Sequence, residues 1–398
     1  MDMTRTLLYT TAFRNTDVDQ LLDPEKPSFV RFDSELGYVP DDIIMKDGEC
    51  GSYSTYTYEK SGQRKMVNYA TQPCRINTYG DSFTQCQQVS DDETWQERLA
   101  SRIGESVRNF GCGGYGVYQA YRRALRMEAT ECPSEYIILG IFDDDHVRNL
   151  DAIRWIRTQW QQKDRPPEKS WPLHGLPWDH IRFDLDKGSF VEKTSFCRTE
   201  DDLRILCDPE KFYESFKEDQ IVRLFVLEIG GQVDYVDDLQ ALAKTFNVKV
   251  DLKGPKRRRE DAVRLHTAYG LKSTEYILEK MCQWLEDQGK KLMVILFYPK
   301  CAINDYITRN YRLDDLFLKF LAHKNILYID TLLKHVADYK AYGLSHSDYL
   351  DRFYIQPAGA AFFGHYNPTG NFFIATSIKN EIINWLSPKP PAYRTGRL

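Results

Sequence analysis

A chain of 398 residues, 42% hydrophobic and 28% charged, has globular composition and length enough for a large buried core. Its net charge of -5 is mild and argues against a phosphate backbone as the main partner, so no nucleic acid is expected. No stretch approaches the apolar length of a membrane span, so no membrane partner is expected either.

The N-terminus, Met1-Asp2-Met3-Thr4-Arg5, lacks an apolar core and soon meets Asp17 and Asp19, which does not read as a secretion signal. Nine cysteines without CxxC pairs suggest free thiols in a reducing compartment, hence a cytoplasmic location. Residues 1–73, with Tyr53, Tyr56 and Tyr58, read as an N-terminal extension with short strands and no long helix. From residue 74 the pattern changes. Ile76 to Tyr79 predicts a strand. A helix follows near Thr94–Ile103, with Asp92 as its N-cap.

Ser106 to Phe110 predicts a second strand, ending in Gly111-Cys112-Gly113-Gly114-Tyr115-Gly116. Val117, Ala120, Tyr121, Ala124 and Leu125 then recur at helical spacing. Glu135 to Phe142 is a continuous apolar run, as in a strand covered on both faces. Residues 151–266 break the alternation. They carry tryptophans, prolines and a hairpin in which Ile181, Phe183 and Leu185 alternate before Asp186-Lys187-Gly188. A stretch this long reads as an inserted cap or substrate subdomain. The run Lys256-Arg257-Arg258-Arg259 reads as a solvated loop.

Alternation resumes with a helix over Thr274–Gln288, a strand over Lys291–Tyr298, a helix near Leu313–His323, a strand over Ile326–Asp330 and a helix from Asn371 to Leu386. Residues 387–398 read as a flexible tail. Repeated βα units predict an α/β fold with a mainly parallel sheet between helix layers. Functional sites in such sheets lie at the carboxyl ends of the strands, where Ser82, the 111–116 loop and Asp143–Asp145 all fall.

Two residues there suggest chemistry. Ser82 sits at the start of a helix after a strand, where exposed amides and the helix dipole steady developing negative charge. It is equally placed to be an ordinary cap. His365, late in the chain in Gly364-His365-Tyr366-Asn367-Pro368, is the residue type that takes a serine's proton near neutral pH. Its alternative is a residue leading into the last helix with no catalytic task.

Ile76-Asn77-Thr78-Tyr79-Gly80-Asp81-Ser82-Phe83-Thr84 resembles the first block of the SGNH/GDSL hydrolase family. Asn109 to Gly116 is similar to its second block, Leu139 to Asp145 to its third, and His365 to Asn371 to its fifth. The resemblance covers residues 74–150 and 270–386. It implies a three-layer α/β/α sandwich of the SGNH/flavodoxin-like kind, with 74–150 and 267–386 as the catalytic domain. It also implies ester hydrolysis through an acyl-enzyme, with Ser82 as nucleophile, His365 as base and the amides of Ser82 and Gly114 as oxyanion donors. No cofactor is implied, and His174 and His180 lack paired metal-ligand spacing.

Two positions depart from the family pattern. The third block's usual Asn amide is absent. Asp145 takes its place in one alignment, with His146 beside it, and Phe142 in a gapless one. Asp145 serves an oxyanion only if protonated, His146 could donate instead, and otherwise Asp143–Asp145 form an acidic helix start or cap. The Asp usually found three residues before the histidine is replaced by Phe362, leaving a Ser82–His365 dyad, or Asp348 or Asp351 folding back to orient His365.

Cys86 and Cys112 flank the site and read as buried packing. The expected substrate is a small-molecule or carbohydrate ester with a short acyl group, such as an O-acetyl, and Trp155, Trp160, Trp171 and Trp178 are candidates to roof its site or to be core. The competing readings are a binding protein on an impaired SGNH scaffold and an O-acyltransferase.

Overall fold

The computed structural model describes residues 2–23, 25–26, 28–130, 132–161, 175–355 and 364–394. Trp171, His174, Phe362 and Phe363 lie outside the described residues, as does the end of the tail. The chain is a mixed α/β protein of two units, Asp41–Asp143 with Leu278–Leu398, and Met1–Pro40 with Asp144–Ile277. No helix among the described residues is long and apolar enough to cross a membrane.

The first unit is built on a five-stranded sheet. Its strands are β1 (Ile76–Tyr79), β2 (Arg108–Asn109), β3 (Tyr136–Phe142), β4 (Lys291–Phe297) and β5 (Tyr328–Asp330). They lie in the order β2-β1-β3-β4-β5, each pair parallel. In register, Tyr79 lies beside Leu139, and Leu139 beside Val294. All seven residues of β3 are buried, so its apolar run needs no polar alternation. Burying each of its isoleucines contributes roughly 1.5–3 kcal/mol.

Parallel pairing requires a crossover between strands. Helices Trp95–Ile103 and Val117–Glu128 belong to the first two crossovers, and Lys300–Arg309 and Asp315–His323 to the one between β4 and β5. After β5 come helices Thr331–Tyr342, His346–Asp351 and Pro368–Trp385. The chain leaves β1 toward β2 and then returns to the other side of β1 as β3. Sheets with this order bind ligands outside the carboxyl ends of the strands at such a reversal.

Details differ from expectation for local reasons. The helix near residue 94 is capped by Thr94, whose side chain accepts from the Glu97 amide, while Asp92 lies in the preceding 3-10 turn. Thr331–Tyr342 is an unforeseen helix. Asp330 ends β5 and at once caps that helix by accepting from the Leu332 and Leu333 amides. The helix expected over 274–288 is the C-terminal half of a 30-residue helix, Arg258–Asp287.

In the second unit, helices Met3–Thr11 and Asn15–Leu22 open the chain. Residues 1–40 thus group with 144–277 rather than forming a 1–73 extension of their own. The reason is burial: Leu7 and Leu8 are fully covered, and helix Met3–Thr11 packs on Trp155–Gln161, Pro209–Phe216 and Gln220–Glu228. The hairpin pairs His180–Asp184 with Ser189–Lys193. The Trp155 indole donates to Thr11 O at 2.8 Å and that of Trp178 to Asp151 O at 2.6 Å, so both rings are core of this unit.

Candidate active site

Strand β1 ends at Tyr79, and Gly80-Asp81 turn the chain into the short helix Ser82–Gln85. Asp81 caps it, its Oδ1 accepting from the Phe83 amide at 2.9 Å. Ser82 is the first helical residue and is 7% exposed. Its Oγ lies 3.3 Å from Asp81 Oδ2, to which it donates.

The glycine loop after β2 is tied to the same helix. Gln85 Oε1 accepts from the Gly113 amide at 2.7 Å, and the Cys112 amide donates to Gly80 O at 3.0 Å. Gly111 presses on the Gln85 backbone so closely that a Cβ there would lie 2.2 Å from Gln85 N, and only glycine fits. Gly114 has φ 83°, in the left-handed region that favours glycine. Among the described residues, the amides of Ser82 and Gly114 have no hydrogen-bond acceptor, which leaves both as donors.

His365 belongs to the same unit. The Ile355 amide donates to His365 O at 2.8 Å and the Asn367 amide to Phe353 O at 2.9 Å. These bonds hold the segment in a short antiparallel bridge, Tyr354 against Tyr366. Asn367 then caps helix Pro368–Trp385. The His365 ring packs against Phe83, the residue after Ser82, with ring centres 5.3 Å apart. Phe83 also stacks on Phe142 at 4.6 Å and meets Tyr366 edge-on at 5.3 Å. One aromatic side chain therefore joins the helix of Ser82, the end of β3 and the histidine segment.

Behind the histidine stands a residue that sequence reasoning missed. His365 Nδ1 lies 2.8 Å from Gln88 Oε1, which also accepts from the His365 amide at 2.9 Å. The two carboxylates expected to fold back are engaged elsewhere. Asp348 accepts from Ser345 Oγ at 2.7 Å inside its own helix turn, and Asp351 is bonded to Lys300. Phe142, spent on the stack with Phe83, offers no donor.

Asp145 lies in the other unit, at the start of helix Asp145–Arg148. It is 1% exposed and paired at 2.7 Å with Arg148, so its carboxylate is engaged by the guanidinium. We assign it no oxyanion role. His146 Nδ1 lies 2.8 Å from Thr274 Oγ1.

Both flanking thiols are inert. Burial pushes Cys86 up to about 12, and it does the same to Cys112, with the Asp81 charge adding to each. Among the described residues no group of three or more His, Cys, Asp or Glu side chains is arranged to hold a metal ion. No protein-family model matches the chain, and no curated protein matches it either.

Proposed function

We propose that this chain is a serine ester hydrolase of the SGNH/GDSL type, which removes a short acyl group through an acyl-enzyme. The observation that carries the reading is the seating of His365. Its ring rests on Phe83, next to Ser82, with Nδ1 tied to an acceptor, and in this reading Nε2 carries the proton transfer. The strand order, which is that of flavodoxin-like doubly wound sheets, also supports the three-layer sandwich that this family builds.

Ser82 Oγ attacks the ester carbonyl carbon as its proton passes to His365 Nε2. The negative oxygen of the tetrahedral intermediate is met by the Ser82 and Gly114 amides, each worth about 10²–10³ in rate. The C–O bond to the alcohol breaks, and the alcohol leaves with the proton from Nε2. Water then gives a proton to Nε2 and attacks the acyl-serine, and as the C–Oγ bond breaks that proton passes from Nε2 to Ser82 Oγ, freeing the carboxylic acid and the serine hydroxyl. An O-acetyl on a carbohydrate is the substrate class we favour.

The pairing of Asp145 with Arg148 favours a second reading, a binding protein on the same scaffold, because one family oxyanion donor is missing. Hydrolysis of 4-nitrophenyl acetate separates the two. The hydrolase reading predicts a burst of nitrophenol and a loss on the order of 10⁴-fold or more in Ser82→Ala. Turnover undiminished in a folded Ser82→Ala protein overturns it.

A further inference from the structure

Building on the hydrolase reading for its kinetic consequence, we infer that Gln88 is the positioning residue of His365: a neutral amide holds the imidazole where related chemistry uses a carboxylate. The orientation of that amide is fixed by its partners. Gln88 Oε1 receives the His365 backbone N–H, which can only donate, while Gln88 Nε2 donates to Asp47 O at 3.1 Å. Reversing the amide would turn NH₂ toward an N–H and oxygen toward a carbonyl. Oxygen therefore faces the ring, and an oxygen that only accepts requires the proton on Nδ1. Neutral His365 is the Nδ1–H tautomer, with its lone pair on Nε2, as a base acting on Ser82 needs.

The loop that carries Gln88 runs through two left-handed residues, the first of them the C-cap of helix Ser82–Gln85. Cys86 has φ 61° and Gln88 φ 74°, both left-handed without being glycine. Such conformations are disfavoured for residues other than glycine and persist where the surroundings over-determine them.

Here the buried Arg64 guanidinium supplies the constraint. Nη1 donates to Gln85 O at 2.7 Å and Cys86 O at 2.9 Å, Nη2 to Val89 O at 2.5 Å and Thr55 O at 3.0 Å, and Nε to Asp91 at 2.8 Å. Its charged plane also lies 4.6 Å from the centre of the Tyr56 ring. Tyr56 Oη accepts from the Gln88 amide at 2.6 Å and donates to Asp47 at 2.7 Å. The chain of support runs from Arg64 and Tyr56 through the 86–89 backbone to the Gln88 amide and the ring of His365.

The test is the tautomer of His365 in the full chain labelled with ¹⁵N-histidine, its ring signals assigned by their loss in His365→Gln. Wild type is expected to show Nδ1–H. Gln88→Leu keeps the volume and removes the acceptor. Gln88→Asn suits the left-handed backbone but is one methylene too short to reach, so it guards against misfolding of the first variant. Both should shift the ring toward the Nε2–H form and lower kcat on the order of 10–10²-fold with KM unchanged. An Nε2–H ring in wild type, or an unaltered tautomer in both folded variants, overturns the inference. The tautomer is read without turnover, so failure of the ester assay leaves this result separate.

Discussion

Arg64 in the sheet unit and Arg157 in the other are buried arginines used in opposite ways. In the sheet unit, Arg64 gives four of its five hydrogen bonds to backbone carbonyls and one to Asp91. In the other unit, Arg157 gives its hydrogen bonds to the Asp151 carboxylate, the shortest at 2.6 Å, and its neighbour Arg148 is paired with Asp144 at 2.8 Å and Asp145 at 2.7 Å. Burial alone would raise Asp144, but Arg148, Arg157 and Arg154 hold it well below the usual carboxylate range. Arg154 itself is lowered to about 10, by burial first and then by Arg148. A guanidinium spent on carbonyls dictates a backbone path. One spent on carboxylates balances charge and leaves the path to packing.

Substitutions can break this contrast. The largest effect is expected for Arg64→Met, which strands buried carbonyls and Asp91 together. We expect a loss of about 3–5 kcal/mol in denaturant unfolding. Turnover should also fall on the order of 10-fold or more in the protein that remains folded, because the Gln88 loop is released. Arg157→Met leaves Asp151, whose side chain is 2% exposed, without its bidentate partner. It should cost about 3 kcal/mol and leave turnover per folded molecule unchanged. Equal loss of activity per folded molecule in both variants would erase the distinction.

A smaller effect comes from protons. Burial lowers His335 in the sheet unit to about 3, and burial followed by Arg182 lowers His180 in the other unit to about 3. The unfolded chain protonates these rings near 6.5, while the folded chain does so only near 3. Stability should therefore fall as pH drops through that window, by about 1.4 kcal/mol per pH unit for each ring. His335→Phe should remove roughly half of that slope in denaturant titrations between pH 6 and 4. It should also lower stability modestly at neutral pH, since the Tyr349 and Tyr366 hydroxyls each lose one of their partners. An unchanged acid slope in that variant would mean that His335 is not buried neutral.

The same contrast explains what could be read in advance. β3 and β4 announce themselves as apolar runs, and β3 is buried along its whole length. Ser82, Gly114 and His365 stand in short motifs with fixed chemistry. Gln88, Tyr56 and Arg64 have no such signature. Their partners are backbone atoms or residues distant in sequence, and no periodicity marks an arginine that will be 1% exposed. Some signals were present and overlooked. Thr94 followed by Glu97 is a capping pattern, and Asp330 before Thr331-Leu332-Leu333 is an N-cap as well as a strand end. The first forty residues escaped for another reason. Their helices are short, and the surface that buries Leu7 and Leu8 comes from residues beyond 150.

Whether Ser82 is a nucleophile served by His365 is decided by labelling with a fluorophosphonate and locating the adduct by mass spectrometry. One adduct is expected, on Ser82, absent in Ser82→Ala and formed far more slowly in His365→Gln. An unlabelled Ser82 across several such probes, or labelling at the same rate without the imidazole, would contradict it.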